Sequence, residues 1–275
     1  MLDLQSLLEI RYYNGSTYSD YRISLGQPAS STVDVTLDTT DYLYVGYYKP
    51  IQQIYLDIPT PNTNAATLTT EYWDGTAWTA ISTIDSTEGL TRSGMIQWEE
   101  LSDWDETTVD SSEKYWLRVS TDTLHTAATY NFIGLVYSED RGLTLQVPYI
   151  LDSAMLSGES SHFKYHIAAR DSIVRELINK GYSKIDSAGD RQSLTAWDLL
   201  DISEVRQAAE AKVLSLIYFN ASDSAEDHWM DKSIRFNDEY QKLMNMARLS
   251  VDTDDDGITD DVENKARSYS TRMYK

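Results

Sequence analysis

The stretch DISEVRQAAEAKVLSLIYFN, Asp201 to Asn220, repeats its apolar residues with a period near 3.6. Val205, Ala208, Ala209, Val213, Leu216 and Ile217 fall on one long stripe, and Asp201 or Ser203 can cap its start. The small residues in the middle of that stripe let a neighbouring helix approach closely. Outward from it the period persists. In SHFKYHIAARDSIVRELINKGY, Phe163, Ile167, Val174, Leu177 and Ile178 share a face, and Gly181 supplies a stop. A third helix is expected from about Ala225 to Leu249, with Trp229, Phe236, Tyr240, Leu243, Met244 and Ala247 along its stripe and Ile234 outside it. It ends near Arg248, where the helix dipole favours a cation. Three helices with short joins predict a small antiparallel bundle over residues 151–249.

Directly after this helix comes VDTDDDGITDDVE, Val251 to Glu263, which places seven carboxylates in thirteen residues with no basic residue among them. Counted from Asp252 as position 1, Asp254, Asp256, Asp260 and Glu263 stand at positions 3, 5, 9 and 12. Gly257 takes the sharp turn at position 6, and Ile258 offers its carbonyl at position 7. That spacing suits Ca²⁺, which takes six to eight oxygens. Residues 250–263 are therefore a candidate structural calcium loop. The apolar residue at position 7 rather than 8 separates the loop from an EF-hand. The other reading is an acidic, solvated loop. No nucleophile or base stands beside the carboxylates to make such a metal catalytic.

Before residue 150 the period is two. Ile54, Leu56 and Ile58 alternate with Tyr55 and Asp57; Leu68, Thr70 and Tyr72 alternate with Thr69, Glu71 and Trp73. Tyr115, Leu117 and Val119 face one way while Trp116 and Arg118 face the other. Such short aromatic and β-branched runs predict half-buried strands. Turn signals lie between them at Asn14, Pro59 and Asp74, and the runs around Asp74-Gly75 predict a hairpin with a primed turn. The expected fold class is thus α+β with two domains: an antiparallel β-sandwich or jelly roll over 1–150, then the three-helix bundle, then an extended C-terminal tail.

Totals narrow the function. The net charge is −21, split as 7 basic against 21 acidic residues (−14) in residues 1–150 and 16 against 23 (−7) in the remainder. That argues against non-specific nucleic-acid binding. The absence of cysteine excludes thiolate chemistry, disulfides and Cys-ligated zinc. The opening MLDLQSLLEIRYYNGS carries Asp3 and Glu9 and no basic n-region, so a secretory leader is not expected. No window is apolar enough to predict a membrane span.

Few residues suggest chemistry. His162 and His166 stand four apart on the first helix, but Phe163 occupies the position where a zinc protease carries Glu, so two polar-face histidines are expected. Glu99 and Glu100 are strand neighbours that point to opposite faces and cannot converge on one bond. No Gly-rich phosphate loop and no GxSxG turn occurs, so no enzymatic activity is expected. Trp73, Trp78, Trp98, Trp104 and Trp116 offer material for a sugar-stacking platform, although large aromatics also form sandwich cores. The tail from residue 264 reverses the sign of the loop before it: Lys265, Arg267, Arg272 and Lys275 alternate with Tyr269, Met273 and Tyr274. Arg and Tyr are favoured at interface hot spots, so the alternative to a fraying terminus is a docking arm.

The order HIAARDSIVRELINKGY, LLDISEVRQAAEAKVLSLIYF, then FNDEYQKLMNMARLSVDTDDDGITDD resembles the head-to-tail adaptor (head-completion, connector) proteins of tailed bacteriophages over about residues 158–263. The first half looks like a β module recurring in phage structural proteins, an addition to the helical part typical of an adaptor. The resemblance implies a virion neck protein, assembled in the host cytoplasm. It implies a dodecameric ring, a homo-oligomer lying between the portal protein and the stopper or tail terminator. DNA would pass through its channel without specific binding. It also implies that the tail reaches into the portal, with Arg267, Tyr269, Arg272, Tyr274 and Lys275 as docking residues. A virion-associated glycan-binding protein, using the Trp/Tyr-rich half, is the alternative.

Overall fold

The computed structural model describes residues 8–28, 32–151, 161–185, 189–222 and 228–259. The fold is mixed α+β, and the chain divides into two compact units, Met1–Leu135 and Val136–Lys275. Among the described residues no helix is long and apolar enough to cross a membrane.

The first unit is built from antiparallel strands. Its larger sheet has the order β2 (Tyr18–Asp20), β1 (Glu9–Tyr13), β4 (Tyr42–Tyr47), β11 (Ser112–Thr121), β6 (Leu68–Trp73), β7 (Trp78–Ala80). Strand β10 (Glu106–Val109) pairs with the start of β11. A smaller sheet runs β13 (Phe132–Gly134), β5 (Gln53–Asp57), β9 (Gly94–Trp98), β8 (Thr83–Asp85), and β3 (Val33–Val35) pairs with β12 (Ala128–Tyr130). A short helix, α1 (Arg22–Leu25), follows β2.

Period-two alternation holds in β6, where Thr70 and Tyr72 are buried and their neighbours are not. It fails as a guide in β5: all five residues are buried, Tyr55 and Asp57 included, because both faces of this inner strand are covered. In β11, Leu117 and Val119 are buried as expected, and so is Trp116 on the opposite face.

The two edges of the larger sheet are built alike. Tyr13-Asn14-Gly15-Ser16-Thr17-Tyr18 joins β1 to β2, and Trp73-Asp74-Gly75-Thr76-Ala77-Trp78 joins β6 to β7. Asn14 Oδ1 accepts from the N–H groups of Ser16 (3.1 Å) and Thr17 (2.9 Å). Asp74 Oδ1 accepts from those of Thr76 (2.9 Å) and Ala77 (2.8 Å). Each turn needs a left-handed residue where only glycine is unstrained, and Gly15 (φ +79°) and Gly75 (φ +87°) supply it. Aromatic cross-strand pairs close both, with ring centroids 4.8 Å apart for Tyr13–Tyr18 and 5.8 Å for Trp73–Trp78. The Asp74-Gly75 hairpin is thus where the sequence predicts it, but it closes through four residues, 74–77, with only Gly75 left-handed, and not through the two-residue primed turn expected. Its carboxylate, accepting from Thr79, Ala77 and Thr76, is held well below the usual carboxylate range.

The second unit begins with α2 (Asp140–Gln146), inside the 1–150 span where strands are expected. It belongs here because Leu143 and Ile150 share one core with Tyr165, Ala169, Val213, Leu214, Ile217 and Tyr218. Helix α3 (Phe163–Asn179) ends in a Schellman arrangement: Gly181 N–H donates to Ile178 O (3.0 Å) and Tyr182 N–H to Leu177 O (3.1 Å). With the capping His162, its buried stripe is Tyr165, His166, Ala169, Ile173 and Leu177, so the expected face is displaced; of the five residues on that face only Leu177 is buried, and Ile178 is exposed. After β14 (Lys184–Ile185), β15 (Arg191–Gln192) and a 3₁₀ turn (Ala196–Asp198) comes α4 (Ser203–Ala221). Asp201 Oδ1 accepts from Ser203 N–H (2.8 Å) at its start. Helix α4 is buried on most of its circumference, Ala208, Ala209 and Ala211 included, and packs against both α3 and α5 (His228–Met246). In α5 Tyr240 and Met244 are buried, Trp229 and Phe236 pack on the same core, and Ile234 is exposed, as its position off the stripe requires.

Candidate functional site

The acidic loop leaves α5 and returns to the start of α4. Ser250 N–H and Oγ donate to the two carboxylate oxygens of Glu204 at 2.6 and 3.2 Å. Leu200 N–H donates to Ser250 O (3.0 Å), Asp252 N–H to Asp198 O (2.8 Å) and Ile185 N–H to Thr253 O (2.8 Å). The loop is therefore sewn by backbone hydrogen bonds to β14 and to the 3₁₀ turn. Asp252, fully buried, organises the bend: its Oδ1 accepts from Asp255 N–H (2.6 Å) and its Oδ2 from Gly257 N–H (3.0 Å). Asp255 (φ +67°) and Gly257 (φ +77°) both adopt left-handed backbone there.

Two carboxylate trios share Asp252. In one, Asp198, Asp252 and Asp255 bring an oxygen each within 4.8 Å of one another. A cation is already built into that trio: Lys184 Nζ lies 2.9 Å from Asp255 Oδ1 and 3.3 Å from Asp198 Oδ1. Asp198 is anchored besides by Thr195, whose N–H and hydroxyl donate to Oδ2 at 2.6 and 3.0 Å. In the other trio, Asp252, Asp254 and Asp256, the oxygens also lie within 4.8 Å. Oxygens about 2.4 Å from one Ca²⁺ sit at most about 4.8 Å apart, a spacing that both trios meet. The second trio comprises positions 1, 3 and 5 of the expected ligand set. Ile258 follows them, exposed, with its N–H donating to Asp256 Oδ1 (2.8 Å). Asp260 and Glu263, and the tail residues Arg267, Tyr269, Arg272, Tyr274 and Lys275, lie outside the described residues. Lys184 and Asp198 were not foreseen; they come from stretches with no periodic or motif signal.

The two histidines of α3 are core residues, a correction to the polar-face expectation. His162 Nε2 is 2.9 Å from Ile150 O. His166 Nδ1 is 2.7 Å from Ser138 Oγ and its Nε2 3.1 Å from Asp140 Oδ1. In the neutral ring Nε2–H donates to Asp140, which leaves Nδ1 to accept from the Ser138 hydroxyl. Burial works against the Asp140 charge, yet the hydrogen bond from His166 brings its carboxyl below the ordinary value. Serine, histidine and aspartate in this order evoke acyl transfer, but Ser138 and His166 have no exposed surface, so a carbonyl carbon has no approach to Oγ. The constellation instead pins the start of α2 to α3. Nearby, burial pushes the Glu210 carboxyl up, while Gln146, donating to its Oε2 at 2.6 Å, and Arg206 pull the other way.

In the first unit the five tryptophans separate. Trp98, Trp104 and Trp116 are buried; Trp73 and Trp78 are half-buried on the face of the larger sheet that carries Tyr13, Tyr18, Tyr42 and Tyr44. At its centre the Arg118 guanidinium lies 4.4 Å from the Tyr42 ring and 4.6 Å from Trp78, with Nε 2.7 Å from Glu71 Oε2. Burial pushes the Tyr44 hydroxyl up to about 12, against the opposing influence of Arg118.

No family model and no curated protein matches the chain. Among solved structures it is similar to the crystal structure of chitosan-binding module 1, derived from a chitosanase/glucanase of Paenibacillus sp. IK-5, at 11% identity and a TM-score of 0.27 over 49% of this chain and 98% of that one. A likeness of that degree carries no argument about fold or function.

Proposed function

We propose that the chain is a structural, non-catalytic neck protein of a tailed bacteriophage, an adaptor ring between portal and stopper or tail that extends the DNA channel. The observation that carries this reading is the arrangement of the second unit. Helix α4, rich in alanine, is buried between α3 and α5, and the acidic loop that follows α5 is clasped back onto the first turn of α4 through Glu204 and Ser250. That is the order of elements on which the resemblance to head-to-tail adaptors rests. In finer terms the second unit is a three-helix bundle. The first is a β-sandwich or jelly roll, for which the buried alternating residues of its sheets, such as Leu43, Val45, Leu117 and Val119 beside Ile54, Leu56 and Ile96, are the support.

In such a ring each subunit uses two different patches, a heterologous contact closed by rotation. A net charge of −21 suits a channel through which DNA slides without adhering. Ca²⁺ held by Asp252, Asp254 and Asp256 would fix the exit of the chain from α5 toward the tail, and Arg267, Tyr269, Arg272, Tyr274 and Lys275 would engage the portal. The test is cryo-electron microscopy of the head–tail junction of virions containing this chain. A ring of it against the portal is the expected result; finding the chain at a fibre or tail tip instead overturns the reading.

A further inference from the structure

One face of the larger sheet gathers aromatic side chains that the adaptor reading does not use. Tyr18 on β2, Tyr13 on β1, Tyr42 on β4, Arg118 on β11, Trp73 on β6 and Trp78 on β7 form a strip that crosses six of the seven strands of the larger sheet. Flat, five strand gaps span about 24 Å, room for a short oligosaccharide. The rings also lean inward: Tyr18 comes within 5.9 Å of Tyr44 and Trp78 within 5.6 Å of the same ring, although their strands lie on opposite sides of β4. Tyr44 and Trp116 beneath them are buried, so the strip rests on a packed floor and its rings are held in place.

We infer that this face binds a neutral oligosaccharide of equatorially substituted pyranoses, independently of the adaptor reading. Such rings present a flat face of axial C–H groups, which stacks on Tyr and Trp, while their hydroxyls need nearby donors and acceptors. Charge selects against other sugars. Arg118 is paired with Glu71 (2.7 Å), and Arg11 with Glu9 (2.7 Å), Asp20 (2.6 Å) and Asp110 (3.1 Å). Both cations are satisfied by carboxylates, so neither calls for an anionic sugar; at the centre of the strip Glu71 is matched one to one by Arg118, so that position does not call for a cationic one. What the face leaves is aromatic area bordered by paired, hydrogen-bonding charges.

The test is titration calorimetry of the full chain with cellohexaose and with N-acetylchitohexaose, beside hyaluronan fragments as the anionic and deacetylated chitohexaose as the cationic probe. Binding of a neutral probe, weakened about tenfold (about 1.4 kcal/mol) by Trp73→Ala, supports the inference. Tyr18→Ala, at an exposed position outside the packed floor, should weaken it as well, with folding checked by circular dichroism. The inference is overturned by heat with charged probes alone, by no heat with any probe, or by neutral-sugar binding that both variants leave unchanged.

Discussion

The indole of Trp116 covers Gly46, its partner across the β4–β11 seam, so closely that a Cβ on Gly46 would stand 2.6 Å from Cε3. One residue's size is thus the condition for its partner's burial. Gly46→Ala should cost about 1–3 kcal/mol through overpacking. Adding Trp116→Leu should recover part of that loss, a coupling measurable as a double-mutant cycle in urea. An unchanged urea midpoint for Gly46→Ala would show that the ring yields freely.

Lys184 is the internal counterion of the acidic loop. Lys184→Met leaves buried Asp198 and its neighbour Asp255 without their ammonium, and breaking a buried pair from one side costs about 3–5 kcal/mol. Thermal melts should show the loss. They should also show a larger gain from added Ca²⁺ than in the wild type, since the ion then supplies missing positive charge. A wild-type melting temperature in the variant would mean the loop is held by its backbone bonds alone.

For the trio Asp252, Asp254 and Asp256, calorimetry with Ca²⁺ should give heat that Asp256→Asn removes. Saturation at 100 times Kd should stabilise the fold by about 2.7 kcal/mol, and chelator should abolish that gain. Absence of heat in the wild type would leave the loop as an acidic bend fastened by Asp252.

Glu210 gives the pH dependence. Its folded pKa is raised, chiefly by burial, so the unfolded chain releases that proton first. Stability from this group is full below the ordinary glutamate range and falls as pH climbs through that range to the raised value. Glu210→Gln keeps an oxygen to accept from Gln146 Nε2 and removes the charge. The variant should therefore melt above the wild type at pH 7, with the difference closing toward pH 4. A difference independent of pH contradicts this assignment.

Much of the fold is legible in the sequence where local chemistry decides it. Asp74-Gly75 makes its hairpin, Gly181 stops α3, and the alanines of α4 mark the helix with neighbours on most sides. The face of α3 is not legible, because its buried stripe contains His162, His166 and Ala169 while larger apolar residues such as Ile178 remain outside. What buries an imidazole is the pairing of both its nitrogens with Ser138 and Asp140, supplied by a segment that periodicity does not connect to it. Trp116 and Lys184 follow the same rule: the side chain's place is fixed by a partner distant in the chain. The acidic trio was readable from its spacing, whereas the lysine that divides the loop into two charge environments was not.

The matched rims of the larger sheet carry a consequence for how the chain finds its shape. Tyr13 meets Tyr18, and Trp73 meets Trp78, in hairpins of the kind that form in about 1–10 μs. The middle seam joins Tyr44 to Arg118, which only a long loop closure can bring together. Two ribbons that local chemistry can form are therefore joined only through much longer closures, and the pairing of greatest sequence separation in the larger sheet lies along β4 and β11, beneath the ring of Trp116.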